Sequence, residues 1–130
     1  MNSMQAANAY QDVNVQSGVT DASPHQLIAM LMDGALDRIS SAKGAMARGE
    51  TAIQGGMIGK AISIIDGMRA SLDLQRGGEV AQNLKDLYDY MERRLLEAGA
   101  KADAGALDEV TGLLREIKAG WDEIPAEHRG

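Results

Sequence analysis

Between Ser23 and Pro125 apolar residues recur in steps of three and four, and three short polar or glycine-bearing breaks cut that recurrence into four runs. An α-helix turns once per about 3.6 residues, so this spacing lines one face of a rod, whereas a strand needs an alternation of period two. The first run is Ile28, Leu31, Ala35, Ile39, Ala42 and Met46, ending near Arg48-Gly49. The second is Ile53, Met57, Ala61, Ile65, Met68 and Leu72, closed by Gly77-Gly78. Val80, Leu84, Leu87, Met91, Leu95 and Ala98 form the third, and Leu107, Val110, Leu114, Ile117 and Trp121 the fourth. No segment sustains the strand alternation with β-branched or aromatic enrichment, so no strand is expected.

The ends of these runs carry helix punctuation. Ser23-Pro24-His25-Gln26 places a good N-cap before a proline at the first helical position, with Gln26 spaced to close a capping box. Asp103 is the expected cap of the last helix, whose first turns carry Asp108 and Glu109 near the positive end of the helix dipole. Four helices of roughly 15 to 26 residues joined by short turns favour antiparallel neighbours, hence an all-α, up-down-up-down four-helix bundle. An irregular helical fold, or a bundle built from hairpins of two chains, competes with it. Residues 1–22 are polar with scattered apolar residues and no period, and are expected to form a flexible arm. The bundle is expected over 23–124, and 125–130 as a polar tail.

At 130 residues the chain suits one domain with one core. It has no cysteine, which removes disulfides and thiolate chemistry and fits a reducing cytosol. Nineteen acidic against thirteen basic residues give a net charge of −6, a field that repels nucleic-acid phosphates and anionic lipids. The first twenty residues lack Lys, Arg and any continuous apolar stretch, and nowhere do about 18 apolar residues run together, so neither a signal peptide nor membrane insertion is expected.

Functional chemistry is sparse. His25 and His128 lie at opposite ends of the ordered region with no catalytic companion visible in the sequence, and the paired Glu-x-x-His sequences of a di-iron bundle do not occur. No phosphate-binding or dinucleotide fingerprint is present. A non-enzyme without cofactor or metal is expected.

Surface features say more. Tyr88 and Tyr90 stand two apart in GGEVAQNLKDLYDYMERRLLEAG, so on a helix they point about 200° apart and cannot share one stripe. Tyr88 sits beside the stripe as a core ring. Tyr90 falls on a charged face, either as a tolerated surface residue or as a contact for a partner. In the second run Gly56, Gly59, Ser63, Gly67 and Ala70 form a strip of small residues, although each helical glycine costs about 1 kcal/mol relative to alanine. Such a strip packs tightly inside a bundle, accompanies an interrupted helix near Gly55-Gly56, or forms a groove for a partner. Met30 and Met32 flank the first stripe, where adaptable thioethers would suit a groove edge.

SPHQLIAMLMDGALDRISSAKGAM and GGEVAQNLKDLYDYMERRLLEA together resemble the FliS family of flagellar secretion chaperones. Ser23, Pro24, Leu27, Ile28, Leu31, Asp33, Gly34 and Ala35 match the family's helix start and its Leu-Tyr-Asp-Gly-Ala segment. Gly78, Glu79, Ala81, Asn83, Leu84, Leu87, Tyr88, Asp89, Tyr90, Met91, Arg94 and Leu95 match its later Leu-Tyr-Asp-Tyr-Met run, and Trp121 supplies a family-like terminal tryptophan. Met32 departs, standing where the family usually has tyrosine. The likeness covers roughly residues 10 to 121.

The resemblance implies a cytosolic antiparallel bundle that holds the C-terminal segment of flagellin, prevents its early polymerisation, and delivers it to the flagellar type III export apparatus. It also implies a mobile N-terminal arm, with Tyr10 aligned to the family's arm tyrosine, that covers apolar surface when flagellin is absent. Laying a disordered, apolar segment in grooves between helices hides its adhesive face. The expected docking surface is the edges of the second and third helices, with Ile58, Ile62, Leu84, Tyr88, Tyr90 and Met91 as contacts and Tyr10 as a competing lid. A monomer is expected when free; the alternative is a self-associating structural or regulatory bundle whose dimer seam is the small-residue strip and Tyr90.

Overall fold

The computed structural model describes residues 23–125. They form four α-helices, α1 (Pro24–Ala47), α2 (Thr51–Ala70), α3 (Leu74–Lys101) and α4 (Ala104–Asp122), and no strand occurs among the described residues. Each helix packs on its neighbours in the chain and α4 closes back on α1, while the diagonal pairs make no comparable contact. The result is the all-α four-helix bundle that the periodicity predicts. The expected arm, Tyr10 included, and residues 126–130 of the tail lie outside the described residues.

The helix ends follow local chemistry. At α1 the Ser23 hydroxyl accepts from the Gln26 amide at 3.2 Å and the Gln26 side chain accepts from the Ser23 amide at 2.8 Å, with Pro24 in the first turn. Gly49, at φ 71°, turns the chain into α2. Asp73 caps α3 by accepting from Gln75 and Arg76, and Asp103 caps α4 by accepting from Ala106. Between α3 and α4 the non-glycine Ala102 takes a left-handed conformation at φ 50°.

Gly77-Gly78 was expected to close α2, but α2 ends at Ala70 and the glycine pair lies inside α3. Gly78, at φ 55° and ψ −129°, kinks α3 near its start. A Cβ on Gly77 would come within 2.5 Å of the Ala81 Cβ, so both positions of the kink require glycine. Val80, two residues past Gly78, is 69% exposed, and the first buried residue of α3 is Ala81.

The core is Leu31, Ala35, Ile39 and Ala42 of α1, Ala61, Ile64, Ile65 and Met68 of α2, Tyr88, Met91, Leu95 and Ala98 of α3, and Leu107, Val110 and Leu114 of α4. Burying each large aliphatic side chain contributes about 2 kcal/mol before entropy is counted. On α2 the buried face is rotated by one residue from the expected stripe at its start: Gln54 and Ile58 are buried, Ile53 is exposed and Met57 half-buried. Met32, expected at a groove edge, is fully buried. At the open end of α1 and α4, the rings of His25 and Trp121 stack with centroids 4.7 Å apart.

Candidate functional site

α2 departs furthest from a simple amphipathic rod. It runs unbroken from Thr51 to Ala70 through Gly55, Gly56 and Gly59, so the expected interruption near Gly55-Gly56 does not occur. A Cβ built on any of these three glycines meets nothing within 4 Å, so here the small-residue strip is open rather than packed against a neighbouring helix. Gly67, further along the strip, is buried.

The missing side chains leave a furrow of about 280 Å³ between the first half of α2 and the last turns of α3. Thr51, Gln54, Gly55, Ile58, Gly59 and Ile62 line it from α2, and Leu96, Gly99 and Ala100 from α3. Ile58 is the floor, 5% exposed, and Leu96 stands on the rim at 62%. Two contacts fix its width. The Gln54 amide donates to the Gly99 carbonyl at 3.3 Å, and the Ile58 methyl lies 3.3 Å from where a Gly99 Cβ would be. Walls that are mostly apolar or glycine, with one side-chain amide at an end, suit an apolar side chain or the face of an amphipathic helix.

One turn along the seam from Ile62 and Leu96 lies a charged knot. Arg69 of α2 pairs with Asp66 on its own helix and with Asp89 of α3, and Lys85 reaches Asp89 at 3.1 Å. Arg69 holds the Asp89 carboxyl below the usual carboxylate range. Beyond it a second depression, of about 300 Å³, is lined by Arg69, Ala70, Leu72, Leu74 and Lys85.

The expected contact residues separate. Ile58 and Ile62 lie together in the furrow. Leu84 is half-buried against the core. Tyr88 and Met91 are core residues, 3% and 0% exposed, and offer no outer surface in this conformation; burial pushes the Tyr88 phenol up to about 12. Tyr90 faces α4, where its hydroxyl donates to Glu109 Oε2 and the Arg93 guanidinium sits 5.8 Å from its ring. It is therefore not beside Ile58 and Ile62. Leu96, Gly99 and Ala100 line the furrow although none of them falls on an expected stripe. The available signal was Leu96 itself, a leucine next to the Leu95 stripe position with no place on the stripe.

Among the described residues no group of three or more His, Cys, Asp or Glu side chains is placed to hold a metal ion, and no helix is long and apolar enough to cross a membrane.

Fold and furrow together define a small antiparallel helical bundle with an apolar channel along one helix seam. The family model described as flagellar protein FliS matches residues 6–128, and this chain belongs to that family. Its relatives include the flagellar secretion chaperone FliSB of Pseudomonas aeruginosa, 51% identical over 95% of this chain and 98% of that protein. The flagellar secretion chaperones FliS of Salmonella typhimurium and Vibrio cholerae are 50% and 42% identical, over 89% and 92% of this chain and 87% and 88% of theirs.

Proposed function

We propose that this chain is a flagellar secretion chaperone whose client is the C-terminal segment of flagellin, held in the cytosol until it passes to the flagellar type III export apparatus. The observation that carries this reading is the apolar furrow between α2 and α3, in a chain from a family whose relatives are named flagellar secretion chaperones. A segment that assembles through an apolar helical face is kept from assembling while that face lies in the furrow, because one surface cannot serve two contacts. Its floor and rim, Ile58, Ile62 and Leu96, accept apolar side chains, and Gly55 and Gly59 let a client backbone come close to α2. A client that must order itself on binding spends part of the contact energy on that ordering, which keeps the complex reversible enough for hand-over. Tyr10 and the arm around it are a competing lid in this reading, and the free chain is a monomer.

The test is a calorimetric titration of the full chain with a peptide from the flagellin C-terminus. One-to-one binding to a monomer, lost on Ile62→Ala combined with Leu96→Ala while helicity by circular dichroism is retained, is the expected result. A stable dimer that ignores the peptide would reject the reading in favour of a self-associating structural or regulatory bundle.

A further inference from the structure

Three carboxylates meet at the α2–α3 seam around one guanidinium. Asp66 and Asp89 each accept one hydrogen bond from Arg69. Glu92 is left over: the side chain is half-buried, and its Oε2, itself buried, has no hydrogen-bond partner and lies 3.7 Å from Arg69 Nη2, within reach of charge attraction but too far for a hydrogen bond. Lys85, the only other cation in the knot, is bonded to Asp89. From α4, Glu109 meets α3 on its other flank, at Tyr90 and Arg94, while Asp108 and Lys118 pair with Lys43 and Asp33 of α1. An ionised Glu92 therefore keeps one buried carboxylate oxygen with charge attraction to Arg69 but no hydrogen bond, a costly state for a group mostly withdrawn from water, whereas its protonated form is a neutral group that the seam can hold.

We propose that Glu92 is a proton-operated latch between α2 and α3: protonated, it packs in the seam and holds the two helices together, and on ionising it loosens the seam next to the furrow. Asp66 lies one turn beyond Ile62 on α2, and Glu92 one turn before Leu96 on α3, so the knot and the furrow walls share the same two helical segments. Burial first, with the nearby charges of Asp66 and Asp89, and against the pull of Arg69, pushes the Glu92 carboxyl up to about 7. Its folded value thus exceeds the ordinary value of 4.5. The folded chain keeps the proton over a window where the unfolded chain has released it, so this contribution to stability is complete below about 4.5 and is lost as pH rises through about 7. A change of cytosolic pH around neutrality would then adjust how firmly the furrow walls are held. That consequence for an occupant rests on the client-binding reading above, but the latch is a property of the free chain and can fail while that reading stands.

The test uses the full chain without any client. The carbon-13 signal of the Glu92 carboxyl should titrate near neutrality, apart from the ordinary carboxylates, and the methyl signals of Ile62 and Leu96 should shift with the same midpoint. In Glu92→Gln those methyl shifts should vanish. Between pH 5.5 and 7.5 the folding equilibrium constant of the parent should fall on the order of tenfold more than that of Glu92→Gln in parallel urea titrations. A Glu92 signal that titrates with the other carboxylates, methyl shifts that persist in the variant, or the same pH dependence in both proteins would each overturn the latch. The carboxyl titration needs no variant, so it decides even if Glu92→Gln folds poorly.

Discussion

The imidazole of His25 lies 6° from parallel to the indole of Trp121, and the two residues also exchange hydrogen bonds: Trp121 Nε1 donates to the His25 carbonyl at 2.9 Å, and His25 Nε2 lies 2.8 Å from the Trp121 carbonyl. This pairing spans 96 positions and joins the first turn of α1 to the last turn of α4. His25→Ala should lower stability by about 1–2 kcal/mol, combining a lost ring stack with a lost buried hydrogen bond. Trp121→Ala should cost about 3 kcal/mol, since it also removes the larger ring. Urea unfolding followed by circular dichroism checks both, and a His25→Ala loss below about 0.5 kcal/mol would mean that the stack is incidental.

Glu109 of α4 accepts from both Tyr90 and Arg94 of α3, the latter at 2.7 Å. The Tyr90 hydroxyl first and Arg94 second hold the Glu109 carboxyl below its ordinary range. The clamp therefore contributes above the ordinary range and is lost as pH falls through the lowered folded value. Carboxyl titration by NMR should place Glu109 below the exposed glutamates, and Tyr90→Phe should move it back toward them. A midpoint unchanged by Tyr90→Phe would remove the hydroxyl from the account.

Ala102 ends α3 in a left-handed conformation that costs an L-residue with a Cβ about 1 kcal/mol and glycine little. Ala102→Gly should therefore stabilise the bundle by up to about 0.5 kcal/mol, the relief of about 1 kcal/mol being offset in part by the extra freedom glycine gives the unfolded chain. The urea midpoint should rise with the slope unchanged. A lower midpoint would show that the unfolded-state effect dominates.

The bundle was legible because helix period and caps act locally. Ser23 and Asp103 cap where their chemistry requires, and the fourth stripe from Leu107 to Leu114 is buried as spaced. α2 was less legible because Ile53, Met57, Ile58, Ile62, Ile64 and Ile65 supply more apolar positions than one face can hold. Periodicity alone cannot choose between adjacent stripes; packing chose Ile58 and left Ile53 exposed. The Gly77-Gly78 pair has the composition of a helix end, and only the backbone reveals a kink. For the site, Ile58 and Ile62 were readable as apolar residues off the expected stripe. For Tyr90, an outward angle on a helix does not say which neighbour lies there, and the structure sets Glu109 of α4 against it. The His25–Trp121 pairing joins distant residues and left no local trace.

Gly59 offers a direct way to separate folding from docking. A side chain there enters open space, and replacing a helical glycine raises helix propensity by up to about 1 kcal/mol, so Gly59→Leu should leave the chain as stable as before or more so. The same side chain would occupy the furrow between Ile58, Ile62 and Leu96. Affinity for a flagellin C-terminal peptide should then fall roughly tenfold or more, the equivalent of about 1.4 kcal/mol. Gly112 of α4 is exposed, and a Cβ there also meets nothing within 4 Å, but it does not line the furrow. Gly112→Leu is therefore the control: it gains the same helix propensity and should bind as the parent does. If both variants bind alike, the furrow is not where the peptide sits. If both bind weakly, added apolar bulk on the bundle rather than occupancy of the furrow is responsible.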